Sequence, residues 1–200
     1  MAAVATISAD MVKQLREKTN AGMMDCKKAL AECGGDINAA EDWLRKKGAV
    51  TASKKSGRDA KDGVIASYIH FDKVGVLVEI NCETDFVAKN QIFRDFVRDV
   101  TLQIAAASPL YVTREQVPPA DLEKEKEITG AQITGKPANV VEKIIQGKIE
   151  KYYSVVCLME QPFVKDQNVT MKDLLTAKIA ELGENIVIRR FTRYQVGEAI

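Results

Sequence analysis

The octapeptide Gly130-Ala131-Gln132-Ile133-Thr134-Gly135-Lys136-Pro137 matches the first seven positions of a phosphate-binding loop, G-x-x-x-x-G-K. The eighth position must supply a Ser or Thr hydroxyl for Mg²⁺, and here it is Pro137, with neither hydroxyl nor N–H. Such a loop also follows a buried apolar strand, which the preceding LEKEKEI cannot be. The segment reads instead as a glycine-rich turn between helices. A Cys–His nucleophile is the second candidate. His70 is the single histidine, and Cys82 is its nearest cysteine in sequence. On a hairpin His70 falls near the turn and Cys82 at the open end, on the order of 20 Å apart at ~3.3 Å per residue. That is far beyond the reach of a hydrogen bond. Paired carboxylates (Glu41-Asp42 and the run over 121–127) fit charged helix faces. Cys26, Cys33, Cys82 and Cys157 form no C-x-x-C pair. They read as reduced, mostly buried thiols rather than a zinc or redox site.

With no convincing catalytic constellation, the residue pattern points to work done by binding. Two places stand out. Gly22-Met23-Met24 sits at a bend before a helix. Adjacent helical residues lie ~100° apart, so the two methionines cannot both face one core, and at least one points outward. Thr84-Asp85-Phe86-Val87 follows a strand and precedes a helix, a connection of the kind that often carries function. Phe86 there is either tucked under as a hydrophobic staple or projected as an anchor for a partner's pocket. The pattern alone favours tucking.

These residues need a scaffold. Of 200 residues, 29 are Lys or Arg, 28 are Asp or Glu and one is His, for a formal net charge of +1. Hydrophobic residues make up 46% and charged residues 28%, the balance of a soluble globular chain rather than a disordered one. The near-zero net charge gives no long-range attraction to phosphate, so direct nucleic-acid binding is not expected. No run of ~18 apolar residues is present, so no membrane span is expected. The opening MAAVATISAD lacks the layout of a secretion or transit signal, so a cytoplasmic location is expected.

The first ~47 residues read as three short amphipathic helices. Ser8 caps the first, Gly34-Gly35 ends the second, and Asp36 caps a third that buries Ile37, Ala40, Trp43 and Leu44 and closes at Gly48. Residues 49–62, small and basic, read as a linker or an exposed short helix. From Gly63 the period switches to two. GVIASYIHF and GVLVEINC read as strands joined by Asp72-Lys73 in a hairpin. A long helix from about Asn90 to Ala107 presents Phe93, Phe96, Val97, Val100 and Ile104 on one face. Helices begin at Pro118-Pro119 and near Pro137, and Thr170 with Asp173 resembles a capping box opening a helix that ends at Gly183. A last strand runs through NIVIRRFTRYQV. The fold class is α+β with an antiparallel sheet. The expected layout is a three-helix domain over 1–50, a linker over 51–62 and an α+β core over 63–200.

LREKTNAGMMDCKKAL (15–30), DGVIASYIH (62–70), NCETDFVAKN (81–90), GKIEKYYSVVCLMEQPF (147–163) and IVIRRFTRYQVGE (186–198) closely resemble signature segments of the bacterial elongation factor Ts family, in its short form. The resemblance spans nearly the whole chain. It implies a UBA-like three-helix domain followed by the family's dimerisation-type core. It implies a guanine-nucleotide exchange factor for EF-Tu, with no chemistry, cofactor or metal of its own. Thr84, Asp85, Phe86 and Val87 then correspond to the family's TDFV run, whose Asp-Phe pair inserts near the Mg²⁺ and phosphate end of EF-Tu's nucleotide site. Arg16, Met23 and Met24 correspond to residues that grip a helix of the GTPase domain. The family's short form tends to be a homodimer. Two alternatives from other classes are a plain interaction module working through the three-helix bundle, and a nucleotide-hydrolysing enzyme using the 130–137 loop.

Overall fold

The computed structural model describes residues 7–19, 21–133 and 137–198. The chain divides into two compact units. The first gathers Met1–Gly63, Asn81–Arg94 and Leu175–Val187; the second gathers Val64–Ile80, Asp95–Leu174 and Ile188–Ile200. Both units are built from stretches that are discontinuous in sequence.

In the first unit, helices α1 (Ala9–Thr19), α2 (Met23–Glu32) and α3 (Ile37–Lys55) form the expected bundle. Each start and stop has a local cause. Ser8 Oγ accepts the Met11 amide at 3.2 Å, and Asp36 Oδ1 accepts the amides of Asn38 and Ala39 at 2.8 and 3.1 Å. Gly35, at φ +87°, returns its N–H to Leu30 O at 2.8 Å, the left-handed helix exit that glycine permits. Leu15, Cys26, Ala29, Leu30, Ala40 and Leu44 form the core of the bundle. The third helix does not close at Gly48 but runs on through Lys55. Gly48 is buried, and a Cβ placed there would lie 3.7 Å from the Ala180 side chain, so packing overrides the ~1 kcal/mol that glycine costs a helix.

Strands β1 (Asp62–His70) and β2 (Val74–Cys82) follow as a hairpin. Its connection is the three residues Phe71-Asp72-Lys73 rather than the expected pair. Phe71 and Asp72 sit at φ +47° and +56°, a conformation disfavoured for a bulky side chain. Strand β5 (Val187–Gln195) lies on the other side of β2, in the order β1-β2-β5. The Val196 amide donates to Lys73 O at 2.9 Å and Arg190 Nε meets Glu79 at 2.7 Å. Numbering falls along β5 as it rises along β2, so this pair too is antiparallel.

Helix α4 (Asp85–Lys89) precedes α5 (Gln91–Ala107), whose predicted apolar residues Phe93, Phe96, Val97, Val100 and Ile104 are all buried. Helices α6 (Pro119–Ala131) and α7 (Ala138–Val156) form the charged hairpin, with Pro137 as the N-cap of α7. At its base Arg114 bridges Glu150 and Glu160, each at 2.8 Å, and lies 4.6 Å from the Tyr153 ring centroid. A short antiparallel ribbon, β3 (Pro162–Phe163) with β4 (Asp166–Thr170), was not legible in the sequence, because its polar residues show no alternation. Helix α8 (Met171–Leu182) has the expected capping box: Asp173 N–H donates to Thr170 Oγ1 at 3.1 Å, and Thr170 Oγ1 donates to Asp173 Oδ2 at 2.8 Å. The chain is α+β, three N-terminal helices followed by sheet and helices. Among the described residues no helix is long and apolar enough to cross a membrane.

Candidate functional site

Thr84-Asp85-Phe86-Val87 is the first turn of α4 rather than an irregular connection. Thr84 is the N-cap, in extended conformation, and its hydroxyl oxygen accepts the Val87 amide at 3.4 Å. Asp85 occupies the first turn, where the helix dipole favours a carboxylate, and pairs with Lys89 at 2.6 Å one turn on. The hydrogen bond from Lys89 holds the Asp85 carboxyl below the usual carboxylate range, and the same contact raises Lys89. Both therefore stay charged across the neutral range.

Phe86 is 81% exposed. The tucked placement favoured by the residue pattern is thus not the one adopted. Ala88 turns inward from the same short helix and is buried, so α4 presents Phe86 on the opposite course. A phenylalanine held out in water by a capped helix leaves most of its apolar surface uncovered by the described residues.

The segment is braced from a distance in sequence. Glu184, in the turn after α8, accepts the backbone amides of Glu83 and Thr84 on Oε2, both at 3.0 Å, and the Thr84 hydroxyl on Oε1 at 2.6 Å. Cys82, fully buried, donates its thiol to Thr84 O at 3.2 Å. Burial pushes that thiol up to about 11, so it remains a donor rather than a thiolate. Sequence reasoning missed Glu184, and no local signal ties residue 184 to residue 84.

The other predicted residues lie in the same unit. Met23 and Met24 open α2 and are 60% and 75% exposed. Both face water, where the sequence required only one to do so. Arg16 is exposed on α1. The neighbouring interior is closed: Cys26 is fully buried, and its thiol lies 3.6 Å from Ala21 O. The two methionines are adaptable apolar surface on a firm base.

The chemical decoys remain apart from any such arrangement. Gly130 lies in the last turn of α6, so a helix and not a strand precedes the glycine-rich segment; Thr134, Gly135 and Lys136 lie outside the described residues. His70 Nδ1 is 2.8 Å from the Tyr68 hydroxyl, and Cys82 is engaged with Thr84, so each has a partner other than the other.

Comparison with known proteins bears on this geometry. A family model described as Elongation factor TS matches residues 47–198. The chain is 57% identical over 193 residues to Elongation factor Ts of Thermodesulfovibrio yellowstonii, covering 96% of this chain and 97% of that protein. It is 60% identical over 196 residues to Elongation factor Ts of Alkaliphilus oremlandii, covering 97% and 91%. It is 58% identical over 197 residues to Elongation factor Ts of Carboxydothermus hydrogenoformans, again covering 97% and 91%.

Proposed function

Because the chain belongs to the elongation factor Ts family, we propose that it is a guanine-nucleotide exchange factor that binds EF-Tu·GDP and promotes release of GDP during translation elongation in the cytoplasm. The observation that carries the reading is Phe86, 81% exposed on a capped and braced helix. Its apolar surface is left available to a partner.

GDP is held in a GTPase by phosphate-cradling amides and by Mg²⁺, the largest local charge. In this reading Asp85 and Phe86, with Thr84 and Val87 as their frame, enter the Mg²⁺ and phosphate end of the partner's site. Phe86 acts as a wedge. Asp85 competes for the Mg²⁺ ligands by exchanging its Lys89 contact, a solvent-exposed pair that is cheap to open. Arg16, Met23 and Met24, in the three-helix segment over residues 1–50, anchor the complex. No covalent step is needed, because exchange requires only that the factor bind the empty GTPase better than the loaded one.

The same reading takes the chain as a homodimer that makes no direct contact with nucleic acid. Ile65 and Ile69 of β1 and Leu77 of β2 are exposed on one face of the hairpin. The Ile69 Cδ1 atom lies 3.3 Å from where a Cβ on Gly75 would stand, which puts Ile69 and β2's outward row on that common face. An apolar sheet face of this kind is suited to a second copy.

The decisive experiment is release of a fluorescent GDP analogue from EF-Tu with and without the chain. A large acceleration at saturating chain supports the reading, and an unchanged off-rate refutes it. Calorimetric titration of GDP or GTP into the chain alone separates the enzymatic alternative, since an exchange factor binds neither appreciably.

A further inference from the structure

We infer that Glu184 is a positioning residue for the Phe86 wedge, acting through the backbone of residues 83–84 rather than by touching the partner. The inference rests on the exchange reading above and names a part of its machinery. A five-residue helix does not hold itself in water, because nucleating a turn costs more than one or two hydrogen bonds return. Phe86, being exposed, adds no packing of its own. Something outside α4 must fix it, and Glu184 is placed to do so. Its carboxylate collects three donors from the entry to the helix, the amides of Glu83 and Thr84 and the Thr84 hydroxyl, at 3.0, 3.0 and 2.6 Å. The same hydroxyl oxygen then accepts Val87 N–H, so orientation passes from Glu184 through Thr84 to the turn that carries Phe86.

The turn that carries Glu184 is itself held on both sides of it. Glu83 Oε1 accepts the Asn185 amide at 2.6 Å, so each strand of the contact binds the other's backbone with a side chain. Asn185 is 3% exposed and donates Nδ2 to Arg58 O at 2.8 Å, and Lys55 Nζ donates to Gly183 O. Gly183, at φ +76°, makes the helix exit that aims Glu184 at residue 84. The end of α3, the turn after α8 and the wedge are therefore one hydrogen-bonded lattice within the first unit. Pre-ordering of this kind removes an ordering cost that binding otherwise bears. It raises the maximal exchange rate and leaves the anchor contacts unchanged.

The test compares Glu184→Ala and Glu184→Gln with the unaltered chain in EF-Tu·GDP release across a concentration series. For Glu184→Ala the ceiling of stimulated release falls on the order of tenfold, the equivalent of ~1.4 kcal/mol. The half-saturating concentration shifts by less than about twofold. Glu184→Gln restores the ceiling to within about twofold, because its carbonyl oxygen accepts both amides and the Thr84 hydroxyl turns to accept from its NH₂. An unchanged ceiling in Glu184→Ala overturns the inference. So does an equal loss in both variants, which would place the carboxylate's charge, not its hydrogen bonds, in the mechanism. A Glu184→Ala chain that fails to fold overturns it too, by making Glu184 a determinant of the fold. Amide hydrogen exchange on the chain alone keeps the two readings separable. Glu83 and Thr84 amides are protected in the unaltered chain and lose protection at least tenfold in Glu184→Ala, whether or not the chain acts on EF-Tu. If the unaltered chain leaves GDP release untouched while this protection behaves as stated, the exchange reading fails and the clamp stands.

Discussion

Replacing Phe86 by Ala separates a wedge from a structural residue. In the free chain the ring is 81% exposed, so its removal takes little apolar area out of contact. Exposed substitutions away from caps and cores change stability by about 0.5 kcal/mol or less, a shift of roughly 1–2 °C in Tm for a chain of this size. The proposed mechanism buries the same ring in a partner's pocket, and full burial of a phenylalanine is worth ~1.5–3 kcal/mol. If that energy is realised mainly in the nucleotide-free complex, Phe86→Ala lowers stimulated GDP release by roughly 10- to 150-fold. The assay is stopped-flow release of fluorescent GDP from EF-Tu, titrated to saturation, beside a thermal melt of the free variant. Complex formation with nucleotide-free EF-Tu falls much less than the release rate if the anchor lies elsewhere. Full retained release with an unchanged melt removes Phe86 from the mechanism. A fall of many degrees in Tm refutes the exposed placement on which the calculation rests.

Three further outcomes follow from the same structure. Met23→Ala with Met24→Ala, two residues 60% and 75% exposed, raises the half-saturating concentration at least about tenfold and leaves the ceiling of release within about twofold, read from the same titration. Ile69→Glu places a charge on the exposed apolar face of the hairpin; sedimentation finds a dimer for the unaltered chain and a monomer for the variant, with helical content unchanged. Cys82 and Cys157 are fully buried, and burial raises both thiols to about 11 from an ordinary 9.0. The neutral thiol is the form the fold prefers. Its stabilisation is complete below pH 9 and is lost as pH rises through 11, about 2–3 kcal/mol for each thiol. Denaturant midpoints should therefore fall between pH 9 and 11, and Cys82→Ala, though weaker at pH 8, should lose less over that interval.

What the sequence disclosed, and what it withheld, follows the range of the interactions. Asp36 and the Thr170–Asp173 box were readable because a cap is written within three residues. The apolar face of α5 was readable because its period is its evidence, and all five predicted residues are buried. Gly48 misled because a glycine near the end of an amphipathic run signals a stop, whereas here it is buried within a continuing helix beside Ala180, a neighbour 132 residues away that no local pattern names. Phe86 misled for the complementary reason. Whether a phenylalanine beside a cap folds under or stands out depends on whether a cavity is available, and no pattern of neighbours states that. The run at 84–87 stood out as a connection between strand and helix and took its expected role from the resemblance to a family, whereas its brace was not found at all. Glu184 lies 100 residues from Thr84, and a glutamate after a helix-ending glycine is unremarked in any periodicity.

The magnitudes assign different work to the two groups of residues. Shifting an equilibrium from 1:99 to 99:1 takes about 10⁴-fold differential affinity, or ~5.5 kcal/mol. A single buried phenylalanine supplies ~1.5–3 kcal/mol, so Phe86 cannot carry the preference for empty EF-Tu alone. The remainder must come from contacts whose strength also differs between loaded and empty partner, and Asp85 at the Mg²⁺ is the charged candidate beside it. Contacts that are equal in both states add affinity but no preference. In the proposed mechanism the apolar surface of Met23 and Met24, on a helix packed against its own bundle core, supplies contacts of that second kind. That surface would then set the concentration at which the factor works, and the braced turn at 84–87 would set how fast GDP leaves. Because coupling is reciprocal, returning nucleotide must weaken the factor by the same factor through which the factor weakened nucleotide. A wedge of modest strength with a separate anchor meets that condition. A wedge strong enough to hold the complex alone would trap EF-Tu empty.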